Sequence, residues 1–284
     1  METGEILGAF TNAGLGRLLP NIQSLLQESI RLNITSSEPT TTLAGVSRIG
    51  GLPDVPKGFT WPNWKDVPMS FIAQVRLEDI AGFAPAKKLP QAGMISFFYD
   101  SKQDTYGGSP DDRGGWAVIF FDKTACEALT TSGAPIGLLE SAIFNSYPLS
   151  FSREFTLPTS AAQHLVNFDW TDAEVRGYED FLSVFPTSDD YTLPHHRMFG
   201  HPNQMQDDMQ LQSALYSNGL LSIDDPQAAI LSQKKEEWLL LLQVDSDART
   251  GMKWATSGML YFWINAAELN SWNLENTWLV LQAE

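Results

Sequence analysis

Apolar spacing divides the chain into a helical opening, two stretches of short strands and a less patterned middle. Leu19, Ile22, Leu25, Leu26 and Ile30 recur at three- and four-residue steps, and Pro20 is tolerated in a first turn, so a helix is predicted from Leu19 through Leu32. The polar run from Thr35 to Thr42 reads as a turn-rich connection. From Gly45 the texture changes: Gly50, Gly51, Pro53, Pro56, Gly58 and Pro62 leave little room for regular structure. Trp61 and Trp64 carry too much apolar area to lie in water, so this loop is expected to be ordered. The segments MSFIAQVRL, GMISFFYD and WAVIFFD follow, each short, apolar and bounded by breakers, as buried strands are. Their short turn-rich connections predict antiparallel pairing. Between about 126 and 195 the clearest element is a helix near TDAEVRGYEDFLSVF, with Val175, Tyr178, Phe181, Leu182 and Phe185 as its apolar stripe. Thr171 and Glu174 form its capping box.

The second half repeats the first. MSFIAQV matches WLLLLQV (238–244), GMISFFYD matches GMLYFWIN (258–265), and WAVIFFD matches WLVLQAE (278–284), in the same order and with nearly constant separation. A looser match sets SRIGGLP (47–53) against HRMFGHP (196–202). The expected fold is therefore α+β, internally duplicated, with mostly antiparallel sheets and an N-terminal helix. Residues 1–125 hold the helix and first repeat, 126–189 a linking segment with a helix, and 190–284 the second repeat, packed as one globular domain. Tandem copies commonly meet across a pseudo-two-fold axis, and ligand sites often lie at such a seam.

Composition narrows the partners. With 34 acidic and 18 basic residues the formal net charge is −16, which repels a phosphate backbone and argues against nucleic acid. The charge keeps an acidic protein in solution, and it also suits steering toward a basic partner. No apolar run is long enough for a membrane span and no secretory pattern opens the chain, so a cytoplasmic location is expected. The single Cys126 cannot form an internal disulfide and reads as an idle thiol in the first turns of a helix.

No established catalytic pattern is present. His195, His196 and His201 lie close together with Asp207 and Asp208 following, but neither HExxH nor CxxC accompanies them, and no metal or other cofactor is expected. GxSxG, GxGxxG and the P-loop pattern are also missing. The pairs Asp111–Asp112, Asp189–Asp190, Asp207–Asp208 and Asp224–Asp225 sit in turn-like sequence, where Asp commonly caps backbone. The repeat itself selects better candidates, since Arg48 matches Arg197 and Gln74 matches Gln243. Each Gln can pin a loop and each Arg can tie that loop to its own sheet. Alternatively the two Arg converge on the axis as an anion clamp, with Trp61 and Trp254 as walls and His196 nearby.

In its first half, Ser47, Arg48, Gly50, Gly51, Pro53, Pro56, Trp61, Pro62, Phe71 and Gln74 follow one another as in the YwqG-like family, which this chain resembles over most of its length. Arg197, Gly200, Pro202, Gln206, Asp208, Gln243 and the Trp254–Gly258 turn carry the likeness in the second half. The family's acidic residue before the second-copy Gly has no equivalent in WATSG. The resemblance implies a duplicated α+β fold and supplies no substrate, cofactor or catalytic residue. Members resembling this chain are often encoded near secreted toxins, which implies an immunity role by analogy. The expectation is a non-enzymatic module that binds a basic toxin domain through acidic residues such as Asp111, Asp112, Asp207 and Asp208. The alternative is a small anionic ligand, or a weak enzyme, at the seam between repeats.

Overall fold

The computed structural model describes residues 3–39, 43–159, 169–183, 185 and 194–283. Asp189 and Asp190 lie outside the described residues. The strands of the first half are β1 (Gln27–Ile34), β2 (Arg48–Ile49), β3 (Asp54–Val55), β4 (Asn63–Trp64), β5 (Val67–Pro68), β6 (Ser70–Arg76), β7 (Met94–Tyr99) and β8 (Trp116–Phe121). Those that follow are β9 (Thr130–Thr131), β10 (Tyr147–Thr156), β11 (Arg197–Met198), β12 (Trp238–Asp245), β13 (Gly258–Asn265) and β14 (Trp278–Ala283). Ten of them form one antiparallel sheet in the order β14-β13-β12-β11-β1-β10-β2-β6-β7-β8, while β3 pairs β9 and β4 pairs β5 in two small ribbons.

That order reads the same from either edge. The bulge between Phe71 and Ala73 in β6 recurs between Leu240 and Leu242 in β12, at the matching position of the repeat. At the centre, Ile30 of β1 pairs Met198 of β11, and Tyr147 of β10 pairs Ile49 of β2. Each copy therefore begins one strand earlier than the sequence match, at β1 and at β10, and each first strand pairs into the other copy's sheet. Leu32 N donates to His196 O at 3.0 Å, and its counterpart Leu149 N donates to Ser47 O at 3.1 Å. Asn33 and Ser150 face each other where the pseudo-two-fold axis crosses. The exchange makes the two halves inseparable, because neither sheet is continuous without the other copy's strand.

The sheet curls until its wings meet. Phe97 touches its own counterpart Phe262 with ring centroids 5.2 Å apart, and Trp116 touches its counterpart Trp278 at 4.9 Å, both edge-on, the favoured aromatic geometry. Strand edges are a liability, and each is covered by the other copy's last connection. Leu281 N of edge strand β14 donates to Tyr106 O, while Trp116 of edge strand β8 donates from Nε1 to Thr277 O at 3.0 Å.

The predicted helix over Leu19–Leu32 is corrected: it stops at Leu25, and β1 begins at Gln27. Leu26 closes the last helical turn to Ile22 O and then turns extended. Ile30, Leu32 and Ile34 also alternate, and burial of Ile30 and Leu32 in the middle of the large sheet outweighs the helical spacing. Leu19, Ile22, Leu25 and Leu26 join a satellite core instead. A further helix, Thr3–Phe10, contributes Ile6 and Phe10 to it, against Tyr178, Phe181 and Phe185. The helix Asp172–Leu182 has the expected Thr171–Glu174 capping box, and its apolar stripe is core apart from Val175, which is 37% exposed. Arg17 Nε donates to Glu174 Oε1 at 2.7 Å, and that guanidinium holds the Glu174 carboxyl down at about 2. No helix among the described residues is long and apolar enough to cross a membrane.

Candidate functional site

Matched polar residues of the two copies build matched constructions. Gln74 lies in β6 opposite Arg48 of β2, and Gln243 lies in β12 opposite Arg197 of β11. Both amides are fully buried. Gln74 Oε1 accepts from Asp54 N at 2.8 Å, and its Nε2 donates to Val46 O and to Asp54 Oδ2, each at 2.7 Å. Gln243 does the same in the second copy: Oε1 accepts from Asn203 N at 2.8 Å, and Nε2 donates to His195 O and Asn203 Oδ1. A Gln in an apolar strand must place its amide, and here it fastens both limbs of the Gly/Pro loop.

His196 also has a counterpart. Asp245 N donates to His196 Nδ1 at 3.1 Å, so Nε2 carries the proton that faces Asp247 Oδ2 at 3.2 Å. In the first copy Ser47 Oγ accepts from Arg76 N and donates to Asp79 Oδ2 at 2.7 Å. An imidazole and a hydroxyl thus make the same kind of bridge, from a strand N–H to a carboxylate. Burial pushes the Asp247 carboxyl up, but hydrogen bonds from His196 and Arg249 outweigh this and hold it well below the carboxylate range.

The Arg residues are where the copies part. Arg48 is buried and ion-paired with Asp54, itself fully buried, whose oxygens also accept from Gly45 N, Gln74 Nε2 and Thr131 Oγ1. In the second copy Asn203 stands where Asp54 stands in the first. Arg197 turns to Glu154 of β10, with Nε 3.0 Å from Oε2, and Nη1 donates to His201 O at 3.1 Å. Its Nη2 is buried and has no hydrogen-bond partner. Arg31 also contacts Glu154, at 3.4 Å, and its Nη1 lies 2.6 Å from His195 Nδ1.

Arg197 lines a cavity of about 500 Å³ together with His195, Asn203, Asp245, Phe185 and Met259. Burial pushes the Asp245 carboxyl up, while the His195 N–H and the Arg31 charge pull the other way. The first copy has a smaller cavity of about 300 Å³ at the matching place, with Arg76 and Met94 where the second has Asp245 and Met259, but Arg48 is not on its wall. Arg48 and Arg197 are not brought together. Two central strands separate β2 from β11, about 14 Å at sheet spacing. Trp61 and Trp254 do not face one cleft either: Trp61 covers the outer face of the first wing, and Trp254 lies in the main core against Tyr99 and Phe144.

The remaining candidates have local partners. Asp112 Oδ2 accepts from Gly108 N in its turn, and Asp208 caps the helix Met209–Ser217 and pairs with Lys235 at 2.5 Å. Asp111 and Asp207 are exposed. Asp224 and Asp225 accept within their own turn. Cys126 donates to Phe121 O, and burial pushes its thiol up. Among the described residues no group of His, Cys, Asp and Glu converges to hold a metal ion.

A family model described as a domain of unknown function, DUF1963, matches residues 47–283. The chain belongs to this family. The DUF1963 match starts at Ser47, the bridge residue of the first copy, and runs through β14, so it contains both buried Gln residues, Asp54 and Asn203, and the Arg197 cavity. No curated protein matches the chain. Sequence reasoning missed Glu154, Asp54 and Asn203. The last two were within reach, because extending the match SRIGGLP against HRMFGHP by one residue sets Asp54 against Asn203.

Proposed function

We propose that this protein is a non-enzymatic binding module whose second copy holds a small carboxylate-bearing ligand in the Arg197 cavity. The observation that carries this reading is the buried Nη2 of Arg197, which has no hydrogen-bond partner in a residue that lines a cavity, while the matching Arg48 is ion-paired with Asp54 and is not on the wall of the matching cavity. An unsatisfied buried donor costs about 1–3 kcal/mol, which a ligand oxygen would recover. Arg31 and Arg197 both contact the carboxylate of Glu154, which gathers two guanidiniums at this end of the cavity. Ser183 on the wall donates to Asp180 O rather than to a base, which favours binding over nucleophilic chemistry.

Titration calorimetry with benzoate as probe tests this. Asn203→Asp, which gives Arg197 the carboxylate that Asp54 gives Arg48, is expected to weaken binding at least about tenfold without loss of fold. Binding is expected to strengthen as pH falls through the raised range of Asp245, since its charged form on the wall opposes an anion. No binding to the parent protein, or equal binding to the Asn203→Asp variant, would overturn the assignment.

The net charge of −16 supports a second reading, an immunity-type inhibitor that meets a basic toxin domain in the cytoplasm, where Cys126 stays reduced. Likeness to YwqG-like proteins adds the genomic analogy and no substrate. A pull-down against the product of the adjacent gene is expected to give a complex that forms more slowly at high salt, and no complex at either salt removes this reading.

A further inference from the structure

The two edges of the sheet are covered unequally, and pseudo-symmetry isolates the difference. Asp100 N donates to Gly115 O at 2.8 Å, which sets the phase of the ladder between β7 and β8. Ala117, Ile119 and Phe121 therefore turn their N–H and C=O groups to β7, while Val118 and Phe120 turn theirs away from the sheet. At the opposite edge the first copy's loop meets the same need, since Tyr106 O accepts from Leu281 N at 3.0 Å. The connection beside β8 is held to it by side chains: Trp116 Nε1 donates to Thr277 O, and Phe120 meets Trp272 edge-on with centroids 5.0 Å apart. Among the described residues no backbone group outside the sheet bonds the backbone of Val118 or Phe120.

A cleft of about 570 Å³ lies along this edge, between β8 and the residues from Trp272 to Thr277. Trp116, Val118, Phe120, Trp272 and Leu274 give it apolar walls. Glu275 is the charged side chain among its lining residues; it is exposed and has no ion-pair partner among the described residues. β8 itself carries none of the devices that guard an edge, since neither Lys, Pro nor a bulge interrupts WAVIFF. A second copy of the chain is a poor occupant, because it would bring a second Glu275 and a further net charge of −16 to the same edge. A basic segment meets both the carboxylate and the field.

We propose that β8 takes an extended, basic segment of a partner protein as an added strand, with main-chain bonds to Val118 and Phe120 and alternate apolar side chains in the cleft. The cleft shares no lining residue with the Arg197 cavity, and the proposal does not depend on the ligand assigned there. A capped peptide of alternating lysine and valine, titrated into the full chain by calorimetry and followed by amide hydrogen exchange, tests it. Two companions are used: the same peptide with glutamate for lysine, and the lysine peptide N-methylated at every inner residue, which keeps the charge but cannot donate to the strand. The lysine peptide is expected to bind at least about tenfold more tightly than the glutamate peptide, and the methylated peptide not to bind. Exchange at Val118 and Phe120 is expected to slow on binding. Glu275→Lys, at an exposed position, is expected to cut the preference for lysine by roughly three- to tenfold. The proposal is overturned if the lysine peptide does not bind at millimolar concentration, if the methylated peptide binds as well, or if binding leaves exchange at Val118 and Phe120 unchanged. A folded Glu275→Lys protein that keeps the full preference also overturns it. So does a chain that is dimeric on its own with both amides already protected, since a second copy is then the occupant.

Discussion

Replacing Asp54 by Asn is expected to destabilise the protein by about 3–5 kcal/mol, because Arg48 would then be a buried cation without its counter-charge. The pair is 3% and 0% exposed, so solvent cannot take the place of the lost carboxylate. The second copy shows why an amide is tolerated there and not here. Asn203 stands beside Arg197, but β10 is long enough to bring Glu154 to that guanidinium, whereas its counterpart β1 ends at Ile34, before the position that would match Glu154. Thermal unfolding is expected to fall by on the order of 10 °C for a chain of this size. Asp111→Asn, at an exposed turn, is the control and is expected to melt as the parent does. An Asp54→Asn protein that melts within a degree of the parent would show that the pair contributes nothing net.

The same comparison changes how the duplicated residues are understood. Retention of Arg and Gln in both copies is consistent with a local duty, since each Gln amide fastens its own loop in an identical pattern. The information about binding lies in what the copies do not share. Asp54 against Asn203 releases one guanidinium N–H, and the edge of β8 lacks the backbone cover that Tyr106 gives β14. A duplicated fold thus carries its own reference state, with one copy closed at the positions where the other is open.

Strands β6, β7, β8 and their counterparts were legible because buried strands leave short apolar runs between Gly, Pro and Asp, and because the copies have kept those runs. β1 was not. Its residues Ile30 and Leu32 extend the helical spacing of Leu19–Leu26, and Ser29 and Arg31 look like solvent positions, yet both are satisfied by Glu154 from the neighbouring strand. Long-range pairing of this kind leaves no local trace. The Arg, Gln and His candidates were legible as residues that recur or cluster, but not their geometry, since whether two matched Arg converge depends on how many strands lie between them.

Gly107→Ala is expected to cost about 3 kcal/mol and to make the protein associate, because Gly107 covers an edge of the sheet. Its φ of +71° favours glycine, and an added Cβ would fall on Leu279 O of β14. The neighbouring contacts belong to the same cover: Tyr106 O accepts from Leu281 N at 3.0 Å, and Gly107 O accepts from Trp278 Nε1 at 3.0 Å. Lifting this loop bares the backbone of Trp278–Ala283, an apolar strand with no charged side chain to discourage pairing with another molecule. It also frees Arg113, which stacks over Trp278 and donates to Ser217 O, and with it the link between the first copy's loop and the helix Met209–Ser217. Gly108→Ala is the matched control, since nothing lies within 4 Å of its Cβ and its backbone needs no positive φ. Light scattering is expected to show concentration-dependent species for Gly107→Ala and none for Gly108→Ala. If both remain monodisperse and melt together, the 101–115 loop is not what protects β14, and the edge must be guarded by the curl of the sheet that brings Trp278 against Trp116.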